Sequence, residues 1–504
     1  MRRAAIVGLL ALLAWADPGE AQSGAPAAVP VLAPAPSGVS APPASRASAA
    51  RLADARRARE RLGLIPEYDG VRGVESIRIA VLDLGFEGVG GGRRYLPENA
   101  VVVEHYDPDF VRRNDLGDPE YRKPFEPGGR HGRDMAQIVW AVAGSRPGGP
   151  RFFLLNANGP TMLRRAVRHA VEQGVQVILF SGDFEGGGNG DGRGPIDRAV
   201  DEAVARGILW INAAGNYGGR AFNAPVRPLR DGYLRLRDGS DVASVRFRNR
   251  VDENTVTVTL TWNDYRDAED AGTDKDLDLF VEDWAGKPIG SGEKVQVAGS
   301  KTPGPDESRN PRERVVLADL AASPDVPTDP DYCYRIRVRA RRGTFTAADR
   351  LRLLITPGRE AYVPPGGTVP EETVTLLDLG EPGEVYPPAD HPGVLTVGDA
   401  GPGSSVGPTL DGRAKPDVIL DDSRADFTDG QVTSGSSNAA AYLAGVVVVL
   451  KAAEPSLTTG DLLRLARQGP TPRRDTTPRA RPSTPLHLWK TPTRARLAEV
   501  ARGR

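Results

Sequence analysis

A chain of 504 residues is too long for one ordinary domain and predicts two or three. Its 65 basic and 66 acidic residues nearly cancel, which removes any whole-chain electrostatic case for nucleic acid or an anionic membrane surface as partner. Cys333 is the single cysteine, so no intramolecular disulfide can form and stability must come from core burial, bound ions or both.

At the N-terminus, Arg2 and Arg3 precede an apolar stretch from Ala4 to Ala16 that is short for a membrane span. Gly19-Glu-Ala21 then puts small residues where a signal peptidase reads. The pattern predicts a signal peptide over 1–21, export to an extracellular or periplasmic compartment, and no integral membrane segment after cleavage. Residues 22–50 are mostly Ala, Pro and Ser, a composition that cannot bury a core and predicts a disordered linker. Residues 51–74 form an N-terminal segment whose charged stretch 51–62 predicts a short helix.

From residue 75 the pattern changes. Apolar runs at 77–82, 100–103, 152–155, 175–180 and 208–212 predict buried strands, and 131–143, 161–173 and 195–206 predict helices between the later ones. Such alternation predicts an α/β fold, a doubly wound, mostly parallel sheet over 75–225. The pattern resumes over 386–469, with strands at 394–398 and 417–420 before an apolar helix at about 437–452. The interval 226–385 reads differently. Thr255–Trp262, Asp276–Val281 and Tyr334–Arg339 alternate with period two, which predicts half-buried antiparallel strands and an inserted β-sandwich. Residues 470–504 form a basic tail rich in Pro and Thr.

Four separated segments carry candidate chemistry. Asp83 ends the first buried strand, where an open parallel sheet presents its ligand-binding edge. His131 leads a helix with Met135, Ile138, Val139 and Val142 at core spacing, so its imidazole is fixed by the helix yet can face a cleft. Ser437 follows Gly435-Ser436 at the start of an apolar helix, where free N–H groups and the helix dipole favour a developing negative charge. Asn216, in Ala213-Ala-Gly-Asn216, stands just past the strand 208–212 and can donate its amide to an oxyanion. A serine hydroxyl needs a base, and an imidazole needs a carboxylate to orient it. The chain order Asp, His, Ser differs from that of the chymotrypsin-like and α/β-hydrolase families.

Together these segments resemble the subtilisin-like serine proteases. The family motif Asp-Thr/Ser-Gly is here Asp83-Leu84-Gly85, and His-Gly-Thr-His-Val-Ala-Gly is His131-Gly-Arg-Asp-Met-Ala-Gln137. Gly-Thr-Ser-Met-Ala-Ala-Pro is Gly435-Ser-Ser-Asn-Ala-Ala-Ala441, preceded by Lys415-Pro-Asp417. The resemblance implies a peptide-bond hydrolase of subtilisin fold, with Asp83, His131 and Ser437 as triad and Asn216 in the oxyanion hole. It implies substrate contacts at Ser181, Gly182 and Gly215, a protein or peptide as substrate, and no cofactor for the chemistry; a monomer is expected. Arg133, Asp134 and Gln137 depart from the His motif, and Ser181-Gly182-Asp183 stands where the family reads Ser-Leu-Gly. A second reading is a pseudoprotease that binds a partner through the sandwich.

Leu260-Thr-Trp262-Asn-Asp264 and Asp276-Leu-Asp278-Leu resemble jelly-roll domains that accompany many members of this family. Asp274, Asp276 and Asp278 alternate with Lys275, Leu277 and Leu279, which places three carboxylates on one strand face. A structural Ca²⁺ held by these three, or a solvated acidic edge, is the expectation.

Overall fold

A computed structural model of the chain describes residues 55–83, 86, 130–144, 149–157, 159–238, 242–267, 272–300, 303–323, 332–358, 373–427, 430–467 and 489–502, with the backbone of 101–103. The predicted signal peptide, the predicted linker and most of the basic tail lie outside the described residues, as do Leu84 and Gly85.

Seven parallel strands form the first sheet. They are β1 (Arg78–Asp83), β2 (Val101–Val103), β3 (Arg151–Asn156), β4 (Val177–Phe180) and β5 (Leu209–Ala213), joined much later by β17 (Leu395–Asp399) and β18 (Val418–Leu420). Their order is β18-β17-β5-β4-β1-β3-β2. The chain moves outward from β1 to β2, returns to β3, and then passes to β4 on the other side. Winding therefore reverses around β1, and the crevice at the carboxyl ends there is the usual place for a ligand in such sheets.

The strand sequences are nearly continuous apolar runs because both faces are covered. Alternate side chains go to opposite faces: Ile79 and Val81 enter one core, Ala80 and Leu82 the other. Helices α1 (His131–Ala143) and α4 (Ser436–Ala453) cover the first face; α2 (Pro160–Glu172) and α3 (Pro195–Ala205) cover the second. Both α2 and α3 start on proline, whose fixed φ suits the first turn. Helix α4 is apolar all round because it lies within the core. Its length and hydropathy match a membrane span, but 83% of it is buried inside the protein.

Between β5 and β17 the pairing turns antiparallel. Strands β6 (Ala221–Pro225), β7 (Val245–Asn249), β8 (Asn254–Trp262), β9 (Asp276–Glu282) and β10 (Pro288–Gly292) come first. A small pair, β11 (Val295–Gln296) and β12 (Glu307–Ser308), precedes β13 (Arg312–Leu320), β14 (Tyr334–Arg342), β15 (Arg350–Pro357) and β16 (Val374–Leu376). They build a five-stranded sheet, β10-β9-β14-β7-β16, and a four-stranded one, β13-β8-β15-β6. One apolar cluster takes Val256, Val258 and Leu260 from β8, Leu277, Leu279 and Val281 from β9, and Ile336 and Val338 from β14. The period-two alternation read in the sequence is this in-and-out pattern. Residues 221–225, expected at the end of the parallel part, already pair antiparallel with β15.

A helical run at 55–61 lies within the stretch predicted as a helix. After α4 come helices α5 (Thr459–Arg467) and, within the basic tail, α6 (Arg494–Arg502); neither was expected from the sequence. Leu497 and Val500 of α6 join the core that holds Leu62 and Leu64, and the Tyr68 hydroxyl donates to the Pro492 carbonyl at 2.8 Å.

Candidate active site

The last residue of β1 is Asp83, 3% exposed. Both its carboxylate oxygens stand 2.9 Å from Nδ1 of His131, the first residue of α1. Gly132 permits this approach: a Cβ there would lie 2.5 Å from the Asp83 Cβ and 2.6 Å from the Phe86 ring. Burial works to lower the His131 pKa, but the charge of Asp83 and its hydrogen bond outweigh it and leave the imidazole above its ordinary 6.5.

Ser437 stands in the first turn of α4, where backbone N–H groups have no intrahelical acceptor. Its hydroxyl donates to the Ser181 carbonyl at 2.9 Å. Among the described residues this is its hydrogen bond, and none joins it to His131. Asn216 crosses to the same helix end. Its Oδ1 accepts from the Ser436 N–H at 3.1 Å and from the Ser436 hydroxyl at 3.0 Å, the part of an N-cap played from another segment. That contact fixes the amide and leaves its Nδ2 as a donor with no protein acceptor among the described residues. The structure thus brings Asp83, His131, Ser437 and Asn216 to one edge of the sheet.

The three expected substrate contacts are less open than the resemblance implies. The Ser181 carbonyl is taken by Ser437. The Gly182 carbonyl accepts from Asn212 Nδ2 at 2.9 Å, and the Gly215 carbonyl from the Ser405 N–H at 2.9 Å. Gly215, at φ 98°, leaves room for a neighbour: a Cβ there would lie 2.7 Å from Asp183 Oδ2. Burial pushes the Asp183 carboxyl up to about 7, against the Tyr217 hydroxyl, which donates to its Oδ1 at 2.6 Å. Sequence reasoning noticed Asp183 as a departure but not its tyrosine partner, since a pair spanning two loops has no local signature. Of the departures after His131, Asp134 is buried and pairs with Arg130 at 2.7 Å and Arg133 at 3.4 Å.

The carboxylate triplet does not assemble. Asp274 is 72% exposed and faces Arg266 at 3.5 Å, whereas Asp276 and Asp278 are buried. Among the described residues no group of three or more His, Cys, Asp and Glu side chains is placed to hold a metal ion. Both oxygens of Asp276, Oδ1 of Asp278 and Oε1 of Gln296 are nevertheless buried without a hydrogen-bond partner. Gln296 had no signal in the sequence, because only the folding of 292–297 against β13 sets its Nε2 on Glu313 Oε1 at 2.8 Å.

A model of the subtilase family matches residues 75–468. No curated protein matches the sequence significantly. Among solved structures, the CspB protease of Clostridium perfringens is similar at 15% identity, over 90% of this chain and 98% of that one, with a TM-score of 0.49. The prenylagaramide maturation protease PagA is similar at 12% identity, over 87% and 100%, with a TM-score of 0.37. The chain belongs to the subtilase family of serine proteases.

Proposed function

We propose that this member of the subtilase family is an exported serine endopeptidase that cleaves peptide bonds through an acyl-enzyme intermediate. The observation that carries the reading is the Asp83–His131 pair, with both carboxylate oxygens at 2.9 Å from Nδ1. Asp83 fixes the tautomer that leaves Nε2 as the base and stabilises the imidazolium that forms. The Ser437 hydroxyl leaves the Ser181 carbonyl, gives its proton to Nε2 and attacks the substrate carbonyl carbon. The Ser437 N–H and Asn216 Nδ2 donate to the oxyanion. His131 then protonates the departing amine, and water repeats the sequence to release the acid.

One observation favours the second reading, a catalytically silent binding module: the Ser437 hydroxyl is hydrogen-bonded to Ser181 and not to His131. A fluorophosphonate probe separates the two. Covalent labelling of the parent chain, absent in Ser437→Ala, supports the protease; a folded parent chain that takes no label sinks it.

The two antiparallel sheets are read as an inserted sandwich, the mature chain as a monomer, and its substrate as protein or peptide. The calcium reading keeps Asp276 and Asp278 and loses Asp274. Two buried carboxylates with orphaned oxygens are hard oxygen donors suited to Ca²⁺. Burial pushes the Asp276 carboxyl up to about 6 and the neighbouring Asp278 adds to this, a tension that a bound cation relieves. Chelation is expected to lower Tm by several degrees in the parent chain and to leave Asp276→Asn unchanged; equal effects on both contradict a cation there.

A further inference from the structure

Strands β4 and β5 run side by side, with Phe180 opposite Asn212. Their extensions, 181–183 and 214–216, therefore leave the sheet edge as neighbours. Ser437 stands against the first through the Ser181 carbonyl, and Asn216, at the end of the second, holds Ser436. A peptide carbonyl attacked by Ser437, with its oxygen turned to Asn216 Nδ2, lies at the mouth of the gap between these extensions. The side chain of the residue that carries this carbonyl has the gap as its way in. This placement rests on the protease reading above.

The gap is filled by the protein itself. A Cβ on Gly215 would lie 2.7 Å from Asp183 Oδ2, 3.0 Å from Ser405 Oγ and 3.3 Å from Tyr217 Cδ2. Asp183 and Ser405 are both buried. The filling is braced. The Tyr217 hydroxyl donates to Asp183 Oδ1 at 2.6 Å, the Tyr217 N–H donates to Ser405 Oγ at 3.0 Å, and the Ser405 N–H donates to the Gly215 carbonyl at 2.9 Å. The Tyr217 ring meets the buried Tyr386 ring edge-on, with centroids 5.3 Å apart, and Arg352 lies over the Tyr386 ring at 4.4 Å. A long substrate side chain enters only by displacing a hydrogen-bonded carboxyl and an interlocked ring, and overfilling a packed region is unfavourable. A cationic side chain reaches the carboxyl only through the space that the carboxyl occupies.

We infer that Asp183 and Tyr217 close the pocket for this side chain, so that the protease prefers glycine or alanine as the residue whose carbonyl it attacks. One methylene too many or too few in a fitted pocket changes kcat/KM by roughly 10–200-fold. Leucine, phenylalanine and lysine each exceed alanine by several heavy atoms.

Peptide substrates that differ only at this residue, with alanine against leucine, phenylalanine and lysine, are compared by kcat/KM on the full chain. Alanine is expected to lead each of the others by at least about tenfold. Asp183→Ala empties part of the gap and should cut the alanine-to-leucine ratio by about tenfold. Asp183→Asn keeps the bulk and should keep the ratio. Leucine, phenylalanine or lysine cleaved as well as alanine by the parent chain overturns the inference, and that comparison needs no variant to fold. So does an unchanged ratio in a folded Asp183→Ala. A lysine preference that vanishes in Asp183→Asn overturns it as well, because the carboxyl would then be a counter-charge. A fluorophosphonate probe keeps the two readings apart. A parent chain that takes the label but shows the wrong preference remains a protease and loses the closed pocket; one that takes no label and cleaves no peptide loses both.

Discussion

Buried polar groups behave differently at the carboxyl edge of the parallel sheet and on the outward face of β9. At the sheet edge they answer one another: Asp83 holds His131, Asn216 holds Ser436, and the Ser181 carbonyl holds Ser437. On β9, Asp276 presents two unpartnered oxygens and Asp278 one. A satisfied network rigidifies its members, and an orphaned one costs stability until a proton, ion or ligand completes it. The first region is therefore held by protein partners, with the buried Ser181 hydroxyl left over, while these β9 oxygens have no hydrogen-bond partner among the described residues.

Breaking the first region should have the larger effects. Ser437→Ala removes the nucleophile and should lower kcat for a peptide substrate by roughly 10⁶-fold, a magnitude taken from subtilisins, with the fold retained. Circular dichroism alongside single-turnover assays checks both; undiminished turnover excludes the assignment. Asn216→Ala should lower kcat by about 10²–10³-fold and also remove a helix cap, at about 1 kcal/mol of stability. A loss of stability with kcat intact would make Asn216 a cap and nothing more. Gly132→Ala pushes a Cβ against Asp83 and Phe86, so a cost of about 1–3 kcal/mol is expected. The displaced imidazole should lose about 10² in kcat, and an unaffected rate would show that the pair tolerates the shift.

The pH dependence gives the smallest effects and sharpens the contrast within the edge itself. His131 must be neutral to act as base, and its pKa lies above 6.5, so kcat/KM should rise with pH on a limb whose midpoint exceeds 6.5. A flat profile through that range counts against the role. Asp183 carries a folded pKa of about 7 against an ordinary 3.8. Between those values the native state binds more protons than the unfolded one, so this group makes stability fall as pH rises from about 4 to 7. Asp183→Asn should flatten that decline and raise Tm at pH 8; an unchanged pH–Tm curve would remove the buried carboxyl as its source.

The parallel sheet was legible because each strand and helix carries its own period, and a face buried against a neighbour leaves that period in the sequence. The run VQVILF at 175–180 read as a buried strand and 437–452 as an apolar helix, and the structure buries both in the core. The candidate triad residues were legible too, since Asp83, His131 and Ser437 each sit at an element end with a glycine within two residues. Period two also marked β8, β9 and β14 as antiparallel, but Asp274 was misplaced by it. Alternation assigns a face, not a burial, and Asp274 precedes β9 beside the exposed Arg266.

By itself the sequence determined the order of strands and helices, the two kinds of sheet, and which residue types stand at the carboxyl ends of β1 and β5 and at the head of α4. These are local facts, written within a few residues of each side chain. Only the tertiary structure decided what those side chains meet. It turned Asn216 into the cap of a helix 220 positions away and set Tyr217 on Asp183. Such partners are chosen by the packing of distant elements, and contact across that separation leaves no trace in the spacing of either one.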